Sequence, residues 1–396
     1  MRTPRDSSNS NNLTPRKQRA AERTGVNLLR YVLDHPNSTC RAVASDLGMS
    51  FPNVCRLVSD FRASGVLVEG GQKQTGRRGP WSQAVMLRPD LGCTIGVDLE
   101  ATHVRGVILD FAGGSAELTR LPIPPTAGPD DVLSGVAGVA AELSKRARAD
   151  KLDVCAVGLA LPGPIVDVES GRIRTELQFG AADLQFCPAV EDACGMKAVA
   201  VANSYCFAAG HHRMHSARES GIEMVVLNRF GLAAAIVWDG KLYTGATNFA
   251  GDLGLLRCGE GYRGRTYQDV CTGAALLRLA RERNVDKSFS ELFDSPDEPV
   301  VREWLKDAIP AFAQAIFAAV IAYDPGRVII EGIFNRFPEK VRRKVIRAVK
   351  EELAEIWSAP PSIRFFEGDD LMGARGAALL ARDSAADDIL ARIIRT

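Results

Sequence analysis

Two short segments with helical periodicity meet at a single glycine, Gly48, near the start of this chain. The first can begin at Thr39 and the second at Ser50, because both hydroxyls can cap a helix. The inward faces at helical spacing are Val43, Ala44 and Leu47 in the first segment and Val54, Leu57, Val58 and Phe61 in the second. Since glycine allows a tight turn between them, residues 39–61 predict a helix-turn-helix.

The second segment leaves four residues facing outward at its start, namely Phe51, Pro52, Asn53 and Arg56. A recognition helix reads base edges mainly with its N-terminal residues. An amide suits adenine and a guanidinium suits guanine or phosphate, so we expect Asn53 and Arg56 to be the main readers. The four residues are therefore predicted to contact double-stranded DNA.

Downstream, residues 65–87 predict two short strands around a polar loop. The loop contains Arg77 and Arg78, flanked by glycines and a proline. Such a loop is typical of a wing, and the two arginines suit a narrow minor groove or the phosphate backbone. The alternative is that a small three-helix domain shows this pattern without binding DNA and that the arginines form only a solvated loop tip.

The charge distribution favours DNA over that alternative. Residues 1–90 contain 14 Lys+Arg and 7 Asp+Glu, a net charge of +7, whereas the remainder has a net charge of −6 and the whole chain +1. A basic head on an acidic body is typical of a protein that binds a polyanion at one end.

Length and composition limit the number of domains and the cellular compartment that the whole chain allows. The 396 residues are 46% hydrophobic, enough for two or three domains with sizeable cores. No apolar run of 18 residues and no signal-like start are present, which predicts a soluble, cytoplasmic protein without membrane association. Nine cysteines without Cys-x-x-Cys spacing predict reduced, mostly buried thiols.

Beyond Pro89 the pattern changes to α/β, with a strand-like run at 93–99 and a partner strand at 104–110. This segment resembles the opening hairpin of the ROK family (repressors, open reading frames and kinases), whose members share the actin-like ATPase fold. Four further segments resemble family motifs in the same order: 158–167, 245–254, 324–332 and 372–378. The resemblance covers nearly the whole chain from about Pro15, and the head resembles the repressor branch.

The resemblance implies an α/β fold in which a winged helix-turn-helix precedes a two-lobed actin-like ATPase (ribonuclease H-like) core. Its implied domains are a disordered tail at 1–13, a DNA-binding domain at 14–88, lobe 1 at 92–201, completed by C-terminal helices at 372–396, and lobe 2 at 202–371.

Three positions that a kinase of this family needs are altered here. The first phosphate loop, Asp-x-Gly-Gly-Thr in kinases, has Glu100 in place of a glycine, and the second has Arg229 at its first glycine. The aspartate that serves as general base is replaced by Ser204. Glu100 is expected to repel phosphate, and loss of a base alone costs about a hundredfold to ten-thousandfold in rate. We predict a catalytically dead core, unless the true base lies elsewhere, at Asp192 or Asp252.

No metal and no other cofactor are expected. The zinc cluster of many family members is reduced here to Cys258, and the position of its histidine holds Leu255. His211 and His215 stand four residues apart and could share a metal on a helix. Histidines at a solvated helix end are the commoner interpretation.

The family's sugar pocket implies effector contacts by Asn203, Ser204 and Asp252. An amide and a carboxylate can hydrogen-bond sugar hydroxyls. Alternatively, Asn203 and Asp252 only satisfy backbone groups around a turn.

The sequence thus predicts a sequence-specific transcriptional regulator, a repressor of carbohydrate-related genes. It is expected to bind a double-stranded DNA operator as a homodimer or homotetramer and to respond to a sugar or sugar derivative. Control by a protein partner instead of a sugar stays open, as does a surviving sugar kinase.

Overall fold

The structure, a computed structural model, describes residues 15–70, 84–124, 127–163, 165–175, 182–216, 220–259, 262, 264–354 and 356–395. Contacts divide the chain into two compact units. The first unit takes its residues from 1–92, 110–114 and 384–396, and the second from 93–109 and 115–383. Each unit is described separately below.

The N-terminal part of the first unit is built from three helices and a small antiparallel sheet. Its elements before the second unit begins are α1 (Pro15–Asp34), β1 (Ser38–Thr39), α2 (Cys40–Asp46), α3 (Phe51–Ala63), β2 (Leu67–Glu69) and β3 (Ala84–Leu87). β3 is the central strand and pairs antiparallel with both β1 and β2. The predicted pair of strands is confirmed, and the predicted wing loop with Arg77 and Arg78 lies outside the described residues.

Local sequence accounts for the two predicted helices. Thr39 caps α2, since its hydroxyl accepts a hydrogen bond of 3.3 Å from the backbone N–H of Ala42. Gly48 ends the turn with φ of +62°, a conformation that costs glycine little. Ser50 stands at the N-cap of α3 as predicted, but its side chain makes no capping hydrogen bond. Pro52 in the first turn instead presets the helical backbone there.

Lobe 1 of the second unit is organised by a five-stranded sheet with the order β11-β7-β4-β5-β6. Its strands are β4 (Cys93–Leu99), β5 (His103–Asp110), β6 (Ser115–Pro122), β7 (Val154–Leu161) and β11 (Ala198–Ala202). It also contains α4 (Pro129–Ala149), α5 (Phe186–Cys194) and a small sheet of β8 (Ile165–Asp167), β9 (Arg172–Thr175) and β10 (Ala182–Gln185). Every residue of β4 and β7 is buried, as expected for parallel strands that are covered on both faces.

Lobe 2 contains a second five-stranded sheet with the order β14-β13-β12-β15-β16. Its strands are β12 (Ile222–Asn228), β13 (Leu232–Trp238), β14 (Lys241–Tyr243), β15 (Arg327–Gly332) and β16 (Ser362–Phe365). Its helices are α7 (Gln268–Cys271), α8 (Gly273–Glu282), α9 (Phe289–Phe293), α10 (Pro299–Tyr323) and α11 (Glu339–Ala354). Two further helices of the core are α6 (Asn203–His211) and α12 (Met372–Arg395).

The first half of α12 lies directly on the strands of lobe 1. A Cβ atom at Gly96 of β4 would overlap the carbonyl oxygen of Ala374, and one at Gly158 of β7 would overlap that of Ala377. Only glycine allows this approach of helix and sheet. From Ser384 onward α12 belongs to the first unit, where Ile394 and Phe61 lie close to Gly25 of α1.

α10 is the longest helix of lobe 2 and, by length and composition, the one described helix that could cross a membrane. Eleven of its side chains are buried in the main apolar cluster of lobe 2, among them Trp304, Phe312 and Ile316. α10 is therefore a core helix of lobe 2. All nine cysteines are free and buried, which confirms the prediction of buried thiols.

His211 is the last residue of α6 and is buried, so the interpretation as a solvated helix end is wrong for it, whereas His215 is exposed. His212, which follows α6, is also buried. The two buried histidines sit over Glu223 of β12, whose side chain is 1% exposed. His211 Nδ1 is 3.1 Å from the Glu223 carboxylate, which also accepts hydrogen bonds from Ser216 at 2.8 Å and Arg327 at 2.5 Å. Sequence periodicity could not show that a strand places a carboxylate beneath them. No three metal-binding side chains come together in the described part of the chain.

This buried carboxylate predicts an acid-dependent stability. Burial raises the pKa of Glu223, but the hydrogen bonds from His211 and Ser216 and the nearby His212 ring outweigh it and lower the pKa to about 2 from the ordinary 4.5. Because the folded pKa is depressed, the stabilisation is fully present above pH 4.5 and is lost as the pH falls toward 2. In urea unfolding, Glu223→Gln should lower the free energy of unfolding at pH 6 by on the order of 2 kcal/mol, and the difference from the wild type should shrink below pH 4. A difference that stays constant with pH would contradict this assignment.

Candidate functional site

A cavity of about 440 Å³ opens in the second unit where strands of both lobes end. Its walls come from the residues that follow β4, β7, β11 and β12 and from the loop at 248–255. Carboxyl ends of parallel strands are the usual place for ligands in α/β folds, because chain connections leave a crevice there. The uncharged polar residues of the lining are Asn203, Ser204, Asn248 and Gln268, the charged ones are Glu100, Arg229 and Asp252, and the rings are Tyr205, Phe230 and Phe249.

The structure brings the three predicted effector residues to this cavity. Asn203 and Ser204 are the first residues of α6, directly after β11. Asp252 precedes a 3-10 turn at Leu253–Leu255. The Ser204 side chain is nearly buried, with the residue 5% exposed, and burial raises the pKa of Asp252.

Two other carboxylates are candidates for the catalytic base. Asp192 is exposed on α5 and does not line the cavity, whereas Asp252 does.

The loop that carries Asp252 is held by backbone contacts. Gly251 has φ of +83°, and a Cβ atom there would overlap the carbonyl oxygen of Ala234 in β13. The backbone N–H of Ala234 donates to the Gly251 carbonyl at 2.7 Å. The hydroxyl of Tyr205 donates to the carbonyl of Ala250 at 2.7 Å and so ties α6 to the same loop. These contacts preorganise Asp252 relative to Asn203.

Charged side chains occupy the predicted phosphate-loop positions. Glu100 follows β4 and Arg229 follows β12, and the two form an ion pair. Arg105 of β5 lies 2.9 Å from Glu100, and Glu331 of β15 lies 2.9 Å from Arg229. Glu100 is therefore paired with two guanidinium groups, which offset the repulsion that its charge alone would exert on a phosphate.

Asp98 lies beneath these pairs and is completely buried. Within the described residues neither of its carboxylate oxygens has a hydrogen-bond partner. Arg229 and Arg105 approach one oxygen at 3.9 and 4.0 Å. Burial raises the pKa of Asp98, and the two guanidinium groups partly oppose this. Its buried position and the nearby cations make it part of an ionic cluster with Glu100, Arg105, Arg229 and Glu331.

The region that matches the family's zinc cluster offers a single thiol in the described chain. Cys258 is buried, and burial raises the pKa of its thiol to about 11. Leu255, at the histidine position, is an exposed apolar side chain at the cavity. A thiol with a raised pKa is a poor metal ligand, because the thiolate is the form that binds metal.

The predicted DNA-reading residues share one end of α3. Phe51, Pro52 and Arg56 are exposed, and Asn53 is half-buried. The Arg56 guanidinium lies 2.8 Å from the Asp60 carboxylate and donates to Asn53 Oδ1 at 3.2 Å. The two proposed readers thus contact each other, and Asp60 competes with any external anion for Arg56.

Sequence reasoning missed Tyr205, Glu331 and Arg105. Tyr205 follows Ser204 directly and could have been found from its place beside the predicted base. Arg105 and Glu331 stand in the middle or near the end of apolar strands, where a charged residue indicates a buried ion pair. Their partners could not be read from the sequence, because Arg229 and Glu331 are 102 residues apart.

These two lobes and the cleft between them define an α/β protein of the actin-like class. The chain belongs to the ROK family, whose family model matches residues 94–384. Among curated relatives, a putative xylose repressor from Caldicellulosiruptor sp. is 22% identical over 229 residues, 57% of this chain and 56% of that protein. The chain thus matches little more than half of that repressor. The uncharacterised protein y4fQ from Sinorhizobium fredii is 23% identical over 78% of this chain and 76% of its own length.

Solved structures support the fold. A ROK family transcriptional regulator described as a homologue of the E. coli MLC protein has a TM-score of 0.68 at 13% identity, covering 94% of this chain and 98% of its own. A ROK hexokinase from Thermus thermophilus has a TM-score of 0.60 at 24% identity, covering 74% and 99%. A ROK glucokinase from Streptomyces griseus, in complex with glucose and AMPPNP, has a TM-score of 0.61 at 21% identity, covering 74% and 100%. Both regulators and kinases therefore occur among proteins with this fold.

The glycine that positions Asp252 yields a prediction about stability. Gly251→Ala should lower the free energy of unfolding by about 3 kcal/mol, because strain from the positive φ adds to the overlap with Ala234. Gly240→Ala is the control, since Gly240 also has a positive φ of +79°, but the nearest atom to an added Cβ would lie 3.5 Å away. This substitution should lower the free energy of unfolding by only about 1 kcal/mol. Equal losses in thermal or urea unfolding would mean that the close approach at Gly251 is unimportant.

Proposed function

We propose that this chain is a sequence-specific DNA-binding transcriptional regulator, a repressor of carbohydrate-related genes, whose kinase-like core senses a ligand and does not catalyse phosphoryl transfer. The observation that carries the proposal is the filled phosphate position. Glu100 and Arg229 pair with each other where a kinase needs open backbone amides. If the core does not catalyse phosphoryl transfer, DNA binding by the basic N-terminal head is the function that remains.

The core also has no carboxylate at the predicted base position for phosphoryl transfer. Such transfer depends on positioning and on positive potential around the phosphates. At the base position Ser204 presents a hydroxyl, which is a poor proton acceptor at neutral pH. Asp252 is the carboxylate that still faces the cavity, and it keeps an active kinase as the second candidate function.

The head supplies the DNA contacts in this proposal. α2, α3 and the β-sheet of the first unit form a winged helix-turn-helix, and α3 is its recognition helix. Asn53 and Arg56 read bases, Phe51 and Pro52 contact the groove, and Arg77 and Arg78 reach the minor groove or the backbone. A homodimer or homotetramer would present two heads to the half-sites of an operator.

The cavity holds the effector in this proposal, and a sugar or sugar derivative suits its lining. Asn203 and Asp252 offer planar hydrogen-bonding groups, and Phe249 offers a ring for the apolar face of a sugar.

The alternative is that a protein partner, and not a sugar, regulates this chain. Thermal-shift measurements with a panel of sugars, repeated on Asp252→Asn, separate the two: a shift that the variant loses supports the cavity, whereas capture of a partner protein without any sugar response supports the alternative.

The principal experiment is to sequence the genomic fragments that the full-length protein retains. A shared motif with two half-sites at a fixed spacing is expected, and the flanking genes should encode carbohydrate functions. Recovery of unrelated fragments would overturn the proposal of a specific regulator.

Two substitutions in α3 should change operator affinity in opposite directions. Asn53→Ala should weaken binding about tenfold to a hundredfold and relax specificity at one base pair. Asp60→Asn should tighten binding, because it removes the carboxylate that holds Arg56 at 2.8 Å. Fluorescence anisotropy at fixed salt measures both effects. Arg283→Ala, which removes an exposed arginine on the second unit, is the control and should leave affinity unchanged.

The core should not phosphorylate sugars. Incubation of the wild type with Mg-ATP and common hexoses should give no sugar phosphate above the no-enzyme background. Ser204→Asp restores a carboxylate and should also stay inactive, because the phosphate position is still filled. Sugar phosphate formed by the wild type and lost in Asp252→Asn would establish the second candidate, an active kinase with Asp252 as its base.

A further inference from the structure

The ionic cluster at the end of β4 joins two sheets that share no strand. Glu100 follows β4, a strand of lobe 1, and Arg229 follows β12, a strand of lobe 2. Their ion pair therefore crosses from one lobe to the other. The two side chains are 11% and 14% exposed, so solvent and salt screen the attraction only weakly.

Each member of this pair is also anchored on its own lobe. Glu331 of β15 holds the Arg229 guanidinium through a hydrogen bond of 2.9 Å from Nε. Arg105 of β5 holds Glu100 through a hydrogen bond of 2.9 Å and also contacts Asp370 at 3.3 Å. Anchoring restricts the rotamers of both side chains before they meet, which lowers the entropy cost of the bridge.

Segments of both lobes line the mouth of the cavity beside this bridge. The lining on either side is contributed by separate segments, 99–101 from lobe 1 and 229–233 from lobe 2. A nucleotide that binds between two lobes can draw them together through its phosphates. Here the side chains of Glu100 and Arg229 occupy that position and connect the lobes directly.

We propose that Glu100 and Arg229 form an interlobe clasp, a built-in ionic bridge that holds the two lobes of the core closed without a bound nucleotide. Glu100 is its member on lobe 1 and Arg229 its member on lobe 2, while Glu331 contacts Arg229 only within lobe 2 and is not part of the bridge. Breaking the Glu100–Arg229 contact opens the cavity, while breaking the Arg229–Glu331 contact leaves the bridge in place. The clasp is independent of DNA binding and of the identity of any effector.

Hydrogen exchange on the full-length protein tests this with two matched variants. Glu100→Gln removes the carboxylate that crosses between lobes, and Glu331→Gln makes the same chemical change to the partner within lobe 2. In Glu100→Gln, peptides covering 99–101 and 229–233 should exchange on the order of tenfold faster than in the wild type. In Glu331→Gln they should change by less than about threefold. Peptides from the buried helix α10 report global unfolding and should not change in either variant.

The outcomes are distinct. Faster exchange at both segments in Glu100→Gln alone supports the clasp. Equal effects of the two variants, or no effect of Glu100→Gln, overturn it. If exchange in Glu100→Gln rises in α10 as well, the variant has lost its fold, and Arg229→Gln decides. It removes the same contact from lobe 2 and leaves Glu100 paired with Arg105, so it should speed exchange only at the two cavity segments, and unchanged exchange there refutes the clasp.

Discussion

The close packing of α12 on the central strands is the contact on which the rest of the core depends. Gly96 and Gly158 let the helix backbone touch β4 and β7, and Gly376 in turn lets α12 approach the backbone of α6 at Cys206. Because α6 begins with Asn203 and Ser204, and β4 leads into Glu100, this packing sets where both sides of the cavity stand. A side chain at any of these glycines would displace backbone, which a close-packed interior does not absorb cheaply.

The ionic cluster gives a structural account of the charged residues at the two predicted phosphate loops. Taken separately, Glu100 and Arg229 each look like the loss of a glycine. Together they form complementary partners: a carboxylate from one lobe, Glu100, meets a guanidinium from the other, Arg229, and each has a second partner behind it. Removing one member of a buried pair leaves an uncompensated charge, so a single substitution in such a pair is strongly destabilising. The cavity that Glu100 and Arg229 line also has uncharged polar groups suited to a small polar ligand.

Much of the local structure could be predicted from residue patterns. The two helices around Gly48 follow from apolar spacing and from a capping threonine, and both depend on interactions within a few residues. The placement of Asn203, Ser204 and Asp252 at one cavity followed from the family resemblance, since carboxyl ends of parallel strands meet at one edge of a sheet. The prediction for His211 was wrong because its partner, Glu223, lies on a strand whose position no local pattern reveals.

The sequence by itself determined the elements and the family, since helix caps, strand periodicity and ordered glycine motifs are encoded over short stretches. Through the family resemblance it also predicted that Glu100, Arg229 and Ser204 stand at positions where a kinase needs other residues. Only the tertiary structure decided that Glu100 and Arg229 neutralise each other and that Glu331 and Arg105 support them. The physical reason is that an ion pair is set by distance and burial in three dimensions, and these residues become neighbours only when two separate sheets meet at the cavity.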